Sequence, residues 1–393
     1  MIDRNEVLAI ATARVLRPDM IEKDYVLGWM LAGISAHPII GSSWTFKGGT
    51  CLKKCFLETY RLSEDLDFTV EDESQLDAGF LTNTFAEVSE WIYDHTGINA
   101  SAQQPRFRVY RNQRGGLNVE GRIYYRGPLQ PRGSPPRVKL DLTSDERMVQ
   151  APVQRRVTHL YTDGLESVMF ARCYTLAELL GEKIRALGER ARPRDIYDVV
   201  HLFWRDELRP NASDVLQVVR QKCEFKQIPV PTLASLQFFR EEMEGDWDAM
   251  LGHQLPAIPP IDAFWSVLPG FFTWLHEGVT SSSPKSIPLA AGEQVVSGPA
   301  RGSTLGLQGV ADVELVRFAA ANRLCIDLSY EGALVRVEPY SVRRTHDGDV
   351  VLYACETDSP SYGRYRTENI QDVEVTSQPF VPRYANELAA LDG

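Results

Sequence analysis

The rhythm of apolar and polar positions changes along the chain, and the changes outline its parts. From Met1 to Leu16 apolar residues are interleaved with Asp3, Arg4, Glu6 and Arg14, the pattern of an amphipathic helix. Asp19 followed by Glu22 has capping-box spacing and predicts a helix running to Ala36, ahead of Pro38. Trp44–Lys47 reads as a short strand broken by Gly48-Gly49-Thr50. Thr50–Tyr60 then has helical spacing, with Leu52, Cys55, Phe56 and Thr59 on one face. Leu66, Phe68 and Val70 alternate with Asp65, Asp67 and Thr69, and Val138, Leu140 and Leu142 alternate with Lys139, Asp141 and Thr143. Both predict strands, and Leu117–Tyr125 predicts another. After Tyr174 the period becomes helical. Thr175 with Glu178 predicts a second capping box and a helix to about Arg190, Pro193 opens a helix through Trp204, and Ala212–Leu275 reads as further helix with aromatic packing.

Between Gly278 and Gly309 the pattern dissolves into Ser281-Ser282-Ser283-Pro284, Gly298-Pro299 and Gly302-Ser303, which reads as a linker. The expected organisation is a sheet-containing part to about 170, a helical part over 171–277, a flexible linker over 278–309, and a small separate domain over 310–393. At 44% hydrophobic and 24% charged residues the chain matches an ordinary globular protein, which excludes wholesale disorder. Lys plus Arg is 42 against 53 for Asp plus Glu, a net charge of −11. That excludes a generally basic nucleic-acid coat and leaves room for a local basic groove. The six cysteines form no C-x-x-C pair. Cys51 and Cys55 have no His or Cys nearby in sequence, so they read as helix-packed thiols rather than a zinc site. The charged N-terminus is unlike a signal peptide, and no uncharged apolar run has membrane-spanning length. A reduced, cytoplasmic protein without membrane contact is the expectation.

The candidate chemistry starts at Asp65-Leu66-Asp67. On a strand these carboxylates point to one side with Cα atoms about 7 Å apart, a spacing that suits hard divalent cations. Asp141, in the same phase on its own strand, is the candidate third acid of a two-metal site. A D-x-D alone is usually solvated. The strand, Gly48-Gly49-Thr50 and helix upstream make it more specific, because such a turn offers backbone N–H groups to phosphate. Lys183 falls inside the apolar stripe of Leu176, Leu179, Leu180 and Leu187, where it must snorkel, pair with an acid or serve a site. Asp195 and Asp198 sit in the first turns of the next helix. Asp198 lies off the Ile196/Val199/Val200/Phe203 face, which by itself predicts a solvated position. Arg106, Arg108, Arg111, Arg114, Arg122 and Arg126, interleaved with Phe107, Tyr110, Tyr124 and Tyr125, form a dense basic cluster, a candidate local basic groove or a solvated hairpin.

At these residues the chain resembles the AbiEii/MenT nucleotidyltransferase toxins of the polymerase-beta-like superfamily. The matching pieces are Glu22-Lys23-Asp24-Tyr25, Phe46-Lys47-Gly48-Gly49-Thr50 with Leu52-Lys53, Arg61-Leu62-Ser63-Glu64-Asp65-Leu66-Asp67-Phe68, Glu182-Lys183-Ile184-Arg185-Ala186-Leu187 and Arg192-Pro193-Arg194-Asp195-Ile196-Tyr197-Asp198. The resemblance implies an α+β fold, with a nucleotidyltransferase core on a mixed sheet and a helical second half. It implies nucleotide binding by Gly48, Gly49, Thr50, Lys53, Ser63 and Lys183, Mg²⁺ or Mn²⁺ binding by Asp65, Asp67 and Asp141, and essential roles for Lys183 and Asp198. It further implies transfer of NMP from an NTP to RNA, most often the tRNA 3′ end, blocking translation as a toxin of a toxin–antitoxin or phage-defence system with a cognate antitoxin. The implied RNA acceptor would make the cluster of Arg106, Arg108, Arg111, Arg122 and Arg126 an RNA-binding patch.

The C-terminal part resembles a WYL domain, a small SH3-like β unit, through Ile326-Asp327-Leu328-Ser329-Tyr330, Arg336-Val337-Glu338-Pro339-Tyr340, Val351-Leu352-Tyr353-Ala354, Tyr365-Arg366-Thr367-Glu368-Asn369-Ile370 and Phe380. That likeness implies a nucleic-acid or nucleotide ligand contacted by Arg336, Arg343, Arg344, Arg364 and Arg366. Leu352-Tyr353-Ala354 departs from the naming motif. Two other readings stay open: nucleotidylation of a protein or small molecule, and a sensor in which the WYL unit gates or replaces the transferase.

Overall fold

The alternating segments pair into one sheet. The computed structural model describes residues 1–57, 59–164, 169–280, 284–296, 307–359 and 361–388. Strands β1 (Trp44–Lys47), β2 (Asp65–Val70), β3 (Asn99–Arg111), β4 (Leu117–Arg126), β5 (Arg137–Thr143), β6 (Val153–Arg156) and β7 (Phe170–Cys173) lie in the order β3-β4-β5-β2-β1-β7-β6. β2 runs parallel to β5 and β1 parallel to β7, and the other neighbours are antiparallel. One face carries Phe46, Leu66, Phe68, Val119, Leu140 and Leu142, all buried. The Pro18–Ala36 helix, buried almost all round, and the Ala78–Thr96 helix belong to the same apolar core. The β3 strand gave no apolar alternation in the sequence because it is a sheet edge, with Ala100 as its one buried residue.

Two expected helix details change. Pro18, not a capping box, opens the second helix, since its fixed φ suits the first turn. Glu22 is buried instead and accepts the Leu129 N–H at 2.7 Å. The helix expected over Thr50–Tyr60 ends at Phe56. It begins as α over Gly48–Cys51 and widens to a π turn over Leu52–Phe56, closed by Leu57 N–H to the Leu52 carbonyl at 2.8 Å.

The helical half contains Leu176–Arg190, Pro193–Phe203, Ala212–Lys226, Leu233–Gln237, Arg240–Leu251, Ile261–Trp265 and Leu268–Glu277. Thr175 caps the first of these by accepting the Glu178 N–H. The Glu178 carboxylate does not reciprocate, because it accepts N–H groups of Val149 and Gln150 and pairs with Lys222 at 2.9 Å.

The C-terminal strands β8 (Gln294–Val295), β9 (Leu324–Tyr330), β10 (Ala333–Arg344), β11 (Val350–Glu356), β12 (Tyr362–Arg366) and β13 (Ile370–Pro379) form a second, antiparallel sheet in the order β12-β11-β10-β9-β13, with β8 on β10. Residues 284–296, expected as flexible linker, belong to this unit. Ile287 is buried beside Tyr340 and Tyr353, and Glu293 bonds Tyr353 and Arg343. Their Gly and Pro content hid a segment whose polar groups are satisfied by the sheet. The rest of the expected linker, 281–283 and 297–306, lies outside the described residues. The Leu307–Ala321 helix packs on this sheet and on the Arg4–Ala13 helix, and its junctions include Arg14–Glu314 at 3.3 Å and Tyr197 Oη to Asn322 Oδ1 at 2.7 Å. The two units therefore share one apolar interior. Among the described residues no helix is long and apolar enough to cross a membrane.

Candidate active site

Strand period fixes the first step. With Leu66 and Phe68 buried on the core side, Asp65 and Asp67 share the opposite face of β2. Register fixes the second, because residues paired across strands point to the same side. Asp67 pairs with Asp141 on β5 and with Lys47 on β1, Asp141 pairs with Glu120 on β4, and Glu120 with Arg108 on β3. The neighbouring row reads Asp65, Lys139, Arg122, Arg106. The three candidate acids and Arg106, Arg108 and Arg122 of the β3–β4 hairpin thus stand in two rows on one face.

The acids are close enough to perturb one another. Burial, then Asp141 and Asp65, push the Asp67 carboxyl up to about 7. Burial, reinforced by Asp141, raises Asp65 against the pull of Lys139. Lys139 Nζ lies 2.5 Å from Asp141 Oδ2, an ammonium already seated among the carboxylates. The three carboxylates share a face without closing into a tight triad. Among the described residues the metal-capable groups whose ligand atoms all lie within 4.8 Å are Cys51, Cys55 and Cys173.

The glycine turn abuts this face. Gly48 has φ +82°, and a Cβ there would stand 2.2 Å from Asp67 Oδ2. A Cβ on Gly49 would meet Arg61 Nη2 at 2.8 Å and Ser63 Oγ at 3.0 Å, so Ser63 does stand at the turn. Thr50 is buried, and its hydroxyl, expected to face phosphate, donates to the Asp65 carbonyl at 2.5 Å, fastening the turn to β2. Lys53, also expected beside phosphate, instead lines a cavity of about 40 Å³ with Arg14, Tyr60 and Glu314. The wide π turn carries it toward the C-terminal unit. Gly48→Ala is expected to cost about 1–3 kcal/mol of stability and about 100-fold in activity, since both the left-handed backbone and the Asp67 carboxylate must shift. Gly115→Ala, at φ +86° with nothing within 4 Å, has the same backbone strain and should keep its activity. Urea unfolding and turnover measured on both variants separate the two effects.

Asp198 is the largest departure from the sequence reading. It is fully buried, not solvated. It accepts from the Tyr60 hydroxyl, from Arg61 Nε and Nη2 at 2.7 and 2.8 Å, and pairs with Lys183 Nζ at 2.7 Å. Burial alone would raise its pKa, but the Arg61 and Lys183 charges outweigh that and hold it well below the usual carboxylate range. Lys183 thus pairs with an acid while also favouring charge on Asp67. Arg61 and Tyr60 were not singled out by sequence reasoning, although Arg61 lies four residues before Asp65. Lys47, quoted within a family motif, was likewise given no role of its own. Burial opposes its charge, but Glu182 and Glu146, each 3.2 Å away, keep it protonated, with Lys222 bridging the same two acids from behind. Its position directly before Gly48 was the available signal.

The hairpin arginines Arg106, Arg108, Arg111, Arg114, Arg122 and Arg126 are all exposed. Arg108 stands 3.8 Å from Glu120, Arg111 4.0 Å from Glu73, and Arg114 is held by Asp145. In the C-terminal sheet, Arg343 is not available to a ligand. It is fully buried and bonded to Glu387, Glu293 and the carbonyls of Ile287 and Pro288. The reason is the 284–296 segment that covers it. Arg336 is clamped by Asp327, Arg364 lies over the Tyr353 ring, Arg366 pairs with Asp349, and Arg344 is exposed.

A family model described as nucleotidyl transferase AbiEii toxin, type IV TA system, matches residues 29–275. No curated protein matches the chain. Among solved structures, MenT4, a nucleotidyltransferase toxin from Mycobacterium tuberculosis, is similar at 19% identity and a TM-score of 0.49, covering 70% of this chain and 90% of that one.

Proposed function

Because the chain belongs to the AbiEii nucleotidyl transferase family of type IV toxin–antitoxin systems, we propose that it transfers NMP from an NTP to an RNA acceptor, the tRNA 3′ end in the first instance, and so blocks translation in the cytoplasm until a cognate antitoxin intervenes. The observation that supports RNA is the two-row register: Arg106 and Arg122 continue the Asp65 row, and Arg108 continues the Asp67–Asp141 row, giving a polynucleotide backbone a path to the acids.

The acids suit a divalent cation. Asp67 is driven up to about 7 by burial and by two neighbouring carboxylates, a penalty that a hard cation among oxygen ligands relieves. Asp65, Asp67 and Asp141 would hold Mg²⁺ or Mn²⁺. When bound, the cation supplies charge neutralisation at phosphate and a lower pKa for the attacking hydroxyl. In the reaction the acceptor O–Pα bond forms, the bond from Pα to the bridging oxygen breaks, and pyrophosphate leaves. Asp141 is the candidate acceptor of the hydroxyl proton. Gly48, Gly49 and Ser63 would seat the phosphates. Lys183, oriented by Asp198, would neutralise charge on the departing pyrophosphate.

The test is incubation with total RNA, Mg²⁺ and each labelled NTP. Label at the tRNA 3′ end is expected, and label on protein or small products would move the acceptor class. The double variant Arg106→Glu/Arg122→Glu should lower RNA labelling about tenfold and reduce its salt slope by about two, with stability unchanged. Unaltered labelling would remove the hairpin from the RNA path. We also propose the division at about residue 277 into a transferase unit and a WYL-like β unit, whose exposed ligand face would use Arg336, Arg344, Arg364 and Arg366.

A further inference from the structure

Cys51 and Cys55 read as isolated thiols in the sequence, yet the fold brings a third to them. Cys173 ends β7, beside Phe46 of the parallel strand β1, and its sulfur meets both others. All three are buried and reduced, and the three sulfurs lie within 4.8 Å of one another. The local backbone makes this possible. The helix widens from α to π at Leu52, so that residues four apart stand nearly over one another, and Cys51 and Cys55 present their sulfurs to the same point. Three sulfurs around one ion at about 2.3 Å stand about 4 Å apart, so the cluster needs little contraction.

The surroundings select a soft cation. No carboxylate belongs to the cluster, whereas the magnesium candidates on β2 and β5 are all oxygen donors. Arg155, on the edge strand β6, lies over the Phe56 ring and bonds the Cys55 carbonyl at 3.4 Å, so one positive charge stands next to what would become an anionic thiolate centre.

We propose that Cys51, Cys55 and Cys173 form a three-sulfur site for one thiophilic d¹⁰ cation of the Zn²⁺ class, separate from the carboxylate site. Each ligating sulfur releases its proton to solvent on binding, and no redox change is involved. Cys51 directly follows Thr50, whose hydroxyl fastens the glycine turn to β2. Occupancy therefore ties the nucleotide-facing turn to β7, and the bound ion is a structural clamp on the candidate active site.

The test uses the full reduced chain, without magnesium, titrated anaerobically with Cd²⁺ alone. A thiolate-to-metal ultraviolet band that saturates at one equivalent is expected, since carboxylates give no such band. Cys51→Ser, Cys55→Ser and Cys173→Ser should each weaken binding by more than about 100-fold, beyond the loss typical of an outer partner, and Cys325→Ser should match wild type. Because a serine in this core can impair folding, X-ray absorption of the Zn²⁺-loaded wild type is the second measurement, with three sulfurs expected in the first shell. No band in wild type, a band that survives Cys173→Ser, or a shell of oxygen and nitrogen only would overturn the site.

Discussion

Asp67→Asn is expected to abolish nucleotide transfer, by about 10³-fold or more, and at the same time to stabilise the metal-free protein above neutral pH. The first effect follows from removing a carboxylate from the centre of the acid row, which corresponds to at least about 4 kcal/mol of transition-state stabilisation. The second follows from linkage. The Asp67 carboxyl titrates near 7 in the folded protein, above its ordinary value of 3.8, because burial and then Asp141 and Asp65 oppose its charge. Below about pH 4 both folded and unfolded chains are protonated there and the site costs nothing. Between about 4 and 7 the unfolded chain ionises first, so stability falls as pH rises. Above 7 the whole penalty applies, about 2–4 kcal/mol, with the lower end favoured because the carboxylate edge reaches water. Asparagine removes the penalty, and so does a divalent cation bound to wild type. Urea unfolding at pH 5 and pH 8, with and without Mg²⁺, should therefore show the variant ahead at pH 8 without Mg²⁺ and the gap closing with it. An active variant, or one with no gain at pH 8, would refute this account of Asp67.

Asp198→Ala is expected to destabilise the fold by about 3–5 kcal/mol, whereas Lys183→Met should leave it folded and inactive. Deleting the Asp198 carboxylate strands two largely buried cations, Arg61 and Lys183, and the Tyr60 hydroxyl, around a fully buried position. Removing Lys183 instead leaves Asp198 with its two bonds from Arg61, so the network keeps a partner for every charge. The loss then falls on kcat, about 10²–10³-fold, with little change in KM if the ammonium acts mainly on charge that develops at the leaving pyrophosphate. A KM effect alone would assign Lys183 to ground-state binding. The pH sign is opposite to that of Asp67. Asp198 is held well below the ordinary carboxylate range by Arg61 and Lys183 against the effect of burial, so its contribution is complete above about pH 4 and is lost as the pH falls further.

The pairing of effects at Asp67 and Asp198 describes how charge is arranged around the site. The carboxylates of the front row oppose one another's charge, which a bound cation would bring into balance. Behind it, Lys47, Lys222, Glu146 and Glu182 form a buried set of opposite charges, and Asp198 anchors a second set. The turn at Gly48 is pressed against Asp67, which is why a single methyl group there has no room.

The sequence by itself determined what depends on short-range geometry. Strict alternation put Asp65, Asp67 and Asp141 on the polar sides of their strands, because the side-chain period of a strand is two. Two adjacent glycines marked the turn, and Thr175 and Pro193 opened the helices that carry Lys183 and Asp198. The family motifs named the same residues. Tertiary structure alone decided what depends on which elements meet. The register that joins Arg106 and Arg122 to the acid row arises from long-range pairing. Asp198 faces away from the apolar stripe of its helix and is buried nonetheless, because Tyr60 and Arg61 cover that side. The third thiol reaches Cys51 and Cys55 from 122 and 118 positions away, on a strand that no local pattern connects to them. Local periodicity records which face a residue takes, whereas partners are set by packing between segments, and no window along the chain contains that information.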